Sequence, residues 1–151
     1  MLPSRKSPST PQLRILVVDD NANGLAARRC VLEELGHKIT TAKCGNEAFA
    51  LFEENRFDLL VTDYKMPRMN GVELISKVRS LRPEVPIILI SGFADALGLD
   101  EDTTGADAVI QKSANEVSHL MRAVNRLLRK AAPKKPARSQ ASGSLAKRKT
   151  V

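Results

Sequence analysis

"LLVTDYKMPRMNGVEL", residues 59–74, is the stretch on which the reading of this chain turns. Leu59 to Thr62 form a short, greasy run that reads as a buried strand, and the run ends on Asp63. Turn-rich residues follow, with Pro67 and the Asn70-Gly71 pair ahead of a second apolar pattern from Val72. A carboxylate closing the most hydrophobic segment is a liability unless something cationic meets it.

Outward from this stretch, strand and helix patterns alternate. Strands are predicted at 13–18, 37–42, 57–62, 86–90 and 106–110. Helices are predicted at 23–35, 46–55, 72–81 and 114–130, with a short or irregular fourth one between them at 94–100. Five strands alternating with helices imply an α/β fold, a doubly wound parallel sheet covered on both faces. "RILVV", "DLLVT" and "PIILI" are near-continuous apolar runs, as central strands should be. "HKITTA" and "ADAVI" are more polar and look like edges, which gives the order 2-1-3-4-5, similar to that of flavodoxin. Ser113 and Glu116 form a sequence capping box for the last helix. Val117, Leu120, Met121, Val124, Leu127 and Leu128 place an apolar stripe on one of its faces. In the fourth segment Gly98, Thr103, Thr104 and crowded acids weaken helix formation.

The net charge of +7 belongs to the ends. Eight of the 24 basic residues lie before Leu13 or after Ala132; the other sixteen nearly balance all 17 acidic ones. Residues 1–12 read as a flexible segment, 13–132 as the folded domain, and 133–151 as a disordered basic tail without acids or aromatics. Aromatics make up 3% of the chain and tryptophan is absent, so aliphatic side chains must fill the core. Cys30 and Cys44 lack metal-ligand spacing and read as buried or half-buried thiols in a reducing cytoplasm. No run of about 20 apolar residues offers a membrane span. His37 and His119 read as ordinary surface residues away from the cleft.

In a 2-1-3 arrangement, Asp19 and Asp20 after strand 1 meet Asp63 at the end of strand 3. Three like charges in a partly desolvated cleft raise one another's pKa and call for a cation. An all-oxygen donor set suits a hard ion such as Mg²⁺, and Lys112, just past strand 5, adds one positive charge. Such a cleft suits phosphoryl transfer, which needs placement and charge neutralisation more than covalent help. Asp63 is the expected nucleophile, with Ser91 after strand 4 offering a hydroxyl and Gly92 leaving room. Each residue alone has an ordinary explanation as a cap, a turn or a surface lysine; it is their convergence that points to a site.

"ILVVDD", "DYKMPRMNGVEL", "PIILISG" and "GADAVIQK" together resemble the receiver domain of two-component response regulators, of the CheY-like kind, over residues 13–130. The resemblance implies that Asp63 is the phosphoacceptor for a phosphohistidine on a sensor histidine kinase or histidine phosphotransfer protein. It implies that Asp19, Asp20, Asp63 and the backbone carbonyl of Lys65 hold Mg²⁺, with Ser91 as the switch hydroxyl and Lys112 as the paired lysine. A cytoplasmic bacterial signalling domain follows, not an enzyme with separate substrate turnover, and its target is an unknown protein. With no DNA-binding domain after it, a stand-alone receiver is the expected class.

Three departures qualify this picture, one of them the weak fourth helix, since the face of helix 4, strand 5 and helix 5 commonly carries a receiver's output. Ser113 stands where receivers carry proline, which predicts a trans bond after Lys112 and leaves room for a different placement of that side chain. Val109 stands at the switch aromatic, so acceptor chemistry is expected intact and signal transmission altered. Three other readings stay open: a receiver-fold module working without phosphorylation, nucleic-acid contact through the basic tail, and, most weakly, a hydrolase using the three acids.

Overall fold

The computed structural model describes residues 12–92 and 97–131. In chain order its elements are β1 (Arg14–Val18), α1 (Ala22–Glu34), β2 (Lys38–Ala42), α2 (Gly45–Glu54) and β3 (Leu59–Asp63). They continue with α3 (Gly71–Leu81), β4 (Ile87–Ser91), the one-turn α4 (Glu101–Thr104), β5 (Ala108–Gln111) and α5 (Glu116–Ala131). The five strands are parallel in the order β2-β1-β3-β4-β5, as the run-versus-alternation pattern predicts. β3 and β4 are buried at every position, while edge strand β2 begins exposed and stays half-buried until Ala42.

Each sheet face carries its own core, because successive strand side chains point to opposite faces. On one face Leu16, Val18, Leu60, Ile87 and Leu89 pack against Phe52 of α2 and Leu74, Ile75 and Val78 of α3. On the other, Ile15, Val17, Leu59, Val61 and Ile88 pack against Leu25 and Leu32 of α1 and Leu120, Val124 and Leu127 of α5. Apart from Phe52, the largest fully buried side chains are leucine and isoleucine, each contributing about 1.5–3 kcal/mol.

Several local expectations need correction. Of the expected fourth helix at 94–100, residues 94–96 lie outside the described ones, Leu97 is helical and Gly98 to Asp100 are not; a helical turn follows at Glu101–Thr104, where Asp100 and Thr103 form a reciprocal cap. Residues 1–11 and 132–151, which hold the expected flexible segment and basic tail, also lie outside the described residues. The predicted capping box on α5 does not form. Ser113 Oγ accepts from the Asn115 N–H, and the Glu116 carboxylate turns to Arg28 instead. Val117 at the head of the α5 stripe is 40% exposed and lines a groove instead of the core. Cys30 is exposed; Cys44 is half-buried and caps α2 through Sγ, 3.5 Å from the Glu47 N–H.

His37 is buried, against expectation. Its Nδ1 accepts from the Leu13 N–H at 3.0 Å, and burial lowers its pKa. It closes the rim at the amino ends of the strands, where Asp58 accepts from the Arg14 N–H and Asp107 from the Ile87 N–H. That rim lies at the opposite end of the strands from Asp63, as expected of His37.

The chain leaves β3, loops through Met66 and Met69, both buried, and enters α3 at Gly71. The Gly71 N–H donates to Tyr64 O at 2.7 Å, folding the loop back on the strand end. A Cβ at Gly71 would collide with the Asp63 carbonyl oxygen and with Leu89 Cδ1. Gly71→Ala is therefore expected to lower stability by about 1–3 kcal/mol through overpacking. Urea unfolding checks this, as a reduced midpoint with an unchanged slope.

Candidate functional site

Parallel register brings the carboxyl ends of β1, β3, β4 and β5 to one mouth. Val18 pairs with Thr62, so Asp19 and Asp63 are adjacent strand ends. Asp63 pairs with Ile90 and Ser91 with Gln111, which sets Ser91 one position and Lys112 two positions beyond the level of Asp63. Oxygen atoms of Asp19, Asp20 and Asp63 lie within 4.8 Å of one another. Asp19 and Asp63 are buried and Asp20 is exposed at the lip. Ser91 is buried, and its carbonyl accepts from the Lys112 N–H at 2.8 Å. Lys65, two positions beyond Asp63, is exposed.

Lys112 reaches the site despite Ser113. Its Nζ is 2.8 Å from Asp63 Oδ1, and no peptide bond among the described residues is cis. The ammonium and this buried carboxylate oxygen form an ion pair. Burial raises the Asp63 pKa, and the Asp19 charge pushes the same way; Lys112 opposes both.

Sequence reasoning missed a buried positive charge in the pocket. Arg28 of α1 is only 3% exposed; its Nη1 donates to Asp19 Oδ2 at 2.7 Å and its Nε to Glu116 Oε2 at 2.8 Å. Asp19 Oδ1 meanwhile accepts from the Asn21 N–H at 3.0 Å, and Asn21 Oδ1 caps α1 by accepting from the Gly24 N–H. Gly24 has to lack a side chain, since a Cβ there would strike Asp19 Oδ2. Arg28 and Glu116 enter as one charge of each sign, so the balance expected from three acids, one lysine and a divalent ion is unchanged. A groove of about 340 Å³, lined by Asp19, Asn21, Arg28, Lys112, Glu116 and Val117, opens beside the acids between α1 and α5.

The residues fit a hard divalent cation. The donors are all oxygen, they converge from two strand ends, and the two that face inward, Asp19 and Asp63, are buried carboxylates.

Sheet order and an acid-lined mouth at the carboxyl strand ends define the class, a doubly wound α/β domain built around a cation-seeking cluster. The family model for the response regulator receiver domain matches residues 15–125, and the chain belongs to that family. A gliding motility regulatory protein of Myxococcus xanthus is 33% identical over 131 residues, 83% of this chain and 16% of its own length. The virulence sensor protein BvgS of Bordetella bronchiseptica is 42% identical over 79 residues, 51% of this chain and 6% of its own. The chain thus spans a small part of either relative. A crystal structure of the response regulator TrrA from Thermotoga maritima, in complex with Mg²⁺ and BeF, superposes with a TM-score of 0.70 at 33% identity. That match covers 77% of this chain and 99% of TrrA. Receivers are signalling domains, and among the described residues no helix is long and apolar enough to cross a membrane.

The raised Asp63 pKa has a testable consequence for stability. A carboxyl group held above its ordinary value of 3.8 destabilises the folded state wherever it must be ionised. The penalty is full above the raised folded-state pKa and vanishes as pH falls to the unfolded value. Asp63→Asn is expected to raise the metal-free melting temperature at pH 7, with the advantage shrinking as pH approaches 3.8. Thermal unfolding across that range checks it, and a lower melting temperature at pH 7 would contradict it.

Proposed function

We propose that Asp63 accepts a phosphoryl group from a phosphohistidine on a sensor histidine kinase or histidine phosphotransfer protein, with Mg²⁺ in the pocket, and that the phosphorylated domain signals to a protein partner. The convergence of Asp19, Asp20 and Asp63 within 4.8 Å, with Lys112 on Asp63 Oδ1, carries this reading. A carboxylate oxygen of Asp63 forms the new P–O bond as the P–N bond of the donor breaks, and the departing imidazole takes up a proton. Asp19, Asp20, Asp63 and the Lys65 carbonyl are the groups that would hold the ion. When bound, Mg²⁺ supplies neutralisation for the phosphoryl oxygens.

The remaining residues have roles suited to their positions. Lys112 stands on Asp63 with 38% of its side chain exposed, so it has freedom to follow a phosphoryl oxygen. Ser91, beside Asp63 at the strand ends, would offer its hydroxyl to another. Val109 packs half-buried against the α2–α3 core and brings no ring to follow Ser91, so output is read as departing from an aromatic switch. The phosphoryl group replaces one carboxylate charge with about two, and a population shift in the surrounding loops is the expected response. This reading puts the domain in the cytoplasm, where its donor presents phosphohistidine.

Incubation with a small phosphodonor, followed by intact-mass measurement, tests the proposal. A gain of one phosphoryl group is expected with Mg²⁺, and neither metal-free protein nor Asp63→Asn should show it. Lys112→Ala is expected to slow labelling by about a hundredfold, as loss of a preorganised charge does. Labelling of Asp63→Asn at the parent rate would move the acceptor elsewhere. Parent protein that stays unlabelled would leave a module acting by contact alone.

A further inference from the structure

Arg28 lies where an apolar side chain would serve packing better. On α1 the core-facing positions are Leu25, Arg28 and Leu32, so the guanidinium is carried inward between two leucines. Burying a charge there is costly unless every contact is good, and replacing such a group with a hydrophobic one is often neutral or stabilising. The contacts are good but divided: one edge serves Asp19 in the acid cluster, the other serves Glu116 at the start of α5. Glu116 gives up the capping box its position predicts in order to make this contact.

We propose that Arg28 is a positioning residue that competes with a divalent cation for Asp19 and links the occupancy of the acid pocket to the amino end of α5. The inference rests on the metal reading of that pocket. Both Asp19 oxygens already accept hydrogen bonds, Oδ1 from Asn21 and Oδ2 from Arg28. A cation drawn to Asp19 must share an oxygen with a donor, and the fixed positive charge of the guanidinium opposes its approach. Whatever weakens the hold on Asp19 leaves Arg28 leaning on Glu116, and Glu116 heads the helix whose next residue, Val117, is exposed on the groove. Lys112 is the other cation at the site, but it pairs with Asp63, so the two positive groups divide the acids between them.

Opposite effects of two substitutions distinguish this role from simple packing. Arg28→Met keeps the apolar stem and removes the charge; it is expected to tighten Mg²⁺ binding to the unphosphorylated protein by about tenfold. Glu116→Gln leaves Arg28 committed to Asp19 and removes a negative charge; it is expected to loosen binding by about threefold. Titration calorimetry with MgCl₂ reads both. In the parent, the Glu116 and Val117 amides are expected to shift on Mg²⁺ addition in NMR spectra, and Arg28→Met should abolish that response. Unchanged or weaker binding by Arg28→Met overturns the proposal while parent Mg²⁺ binding keeps the pocket reading intact. Should Arg28→Met fail to fold, unchanged or tighter binding by Glu116→Gln overturns it instead. A parent that binds no Mg²⁺ defeats the pocket reading and this inference together.

Discussion

Mutual repulsion among Asp19, Asp20 and Asp63 is the constraint around which the rest of the molecule is arranged. A parallel sheet in the order β2-β1-β3-β4-β5 puts two strand ends side by side, and both end in acid. Water cannot fully screen them, since Asp19 and Asp63 are buried. The chain answers with cations from opposite sides of the mouth, Lys112 from the β5–α5 loop and Arg28 from α1. Their partners differ, and so does their mobility: Lys112 is partly exposed on a flexible stem, while Arg28 is locked in a planar grip on two carboxylates. One cation can yield and the other resists.

Much of this was legible in the sequence. The continuous apolar runs at Ile15–Val18, Leu59–Thr62 and Ile87–Ile90 differ in kind from the alternating β2; that difference separates centre from edge, and the order itself follows the doubly wound pattern. Once the order is known, the convergence of Asp19, Asp20, Asp63, Ser91 and Lys112 follows from strand ends. What escaped were side chains whose role depends on partners far away in sequence. Arg28 carries a signal, since it occupies the core-facing step between Leu25 and Leu32, but nothing local names Asp19 or Glu116 as its partners. Glu116 reads as a capping residue because the pattern Ser113–Glu116 is a local rule, and a buried guanidinium outbids the backbone N–H for it. His37 looks like a surface residue until the Leu13 N–H is found 24 positions away.

The two faces of the sheet divide the labour. The α2–α3 face carries one of the two apolar cores and the loop that returns Gly71 to Tyr64, so it fixes the position of the Asp63 backbone. The α1–α5 face reaches the acids through side chains instead, by way of Arg28 and Glu116. The backbone at Asp63 and the side chain of Asp19 are thus held from separate faces of the sheet. In the proposed role Asp63 has to stay in place while its surroundings respond, and this partition suits that role.

The Arg28–Glu116 contact also spans 88 positions of chain, and a ribosome delivers residues in order. Asp19, Asp20 and Asp63 are all synthesised well before Lys112 and Glu116. Of the two cations, only Arg28 has been made when the three acids are complete, and Lys112 follows with the last βα unit. The final strand and helix thereby act as the closing clasp of the domain, and contacts of such long separation are the slow ones to form.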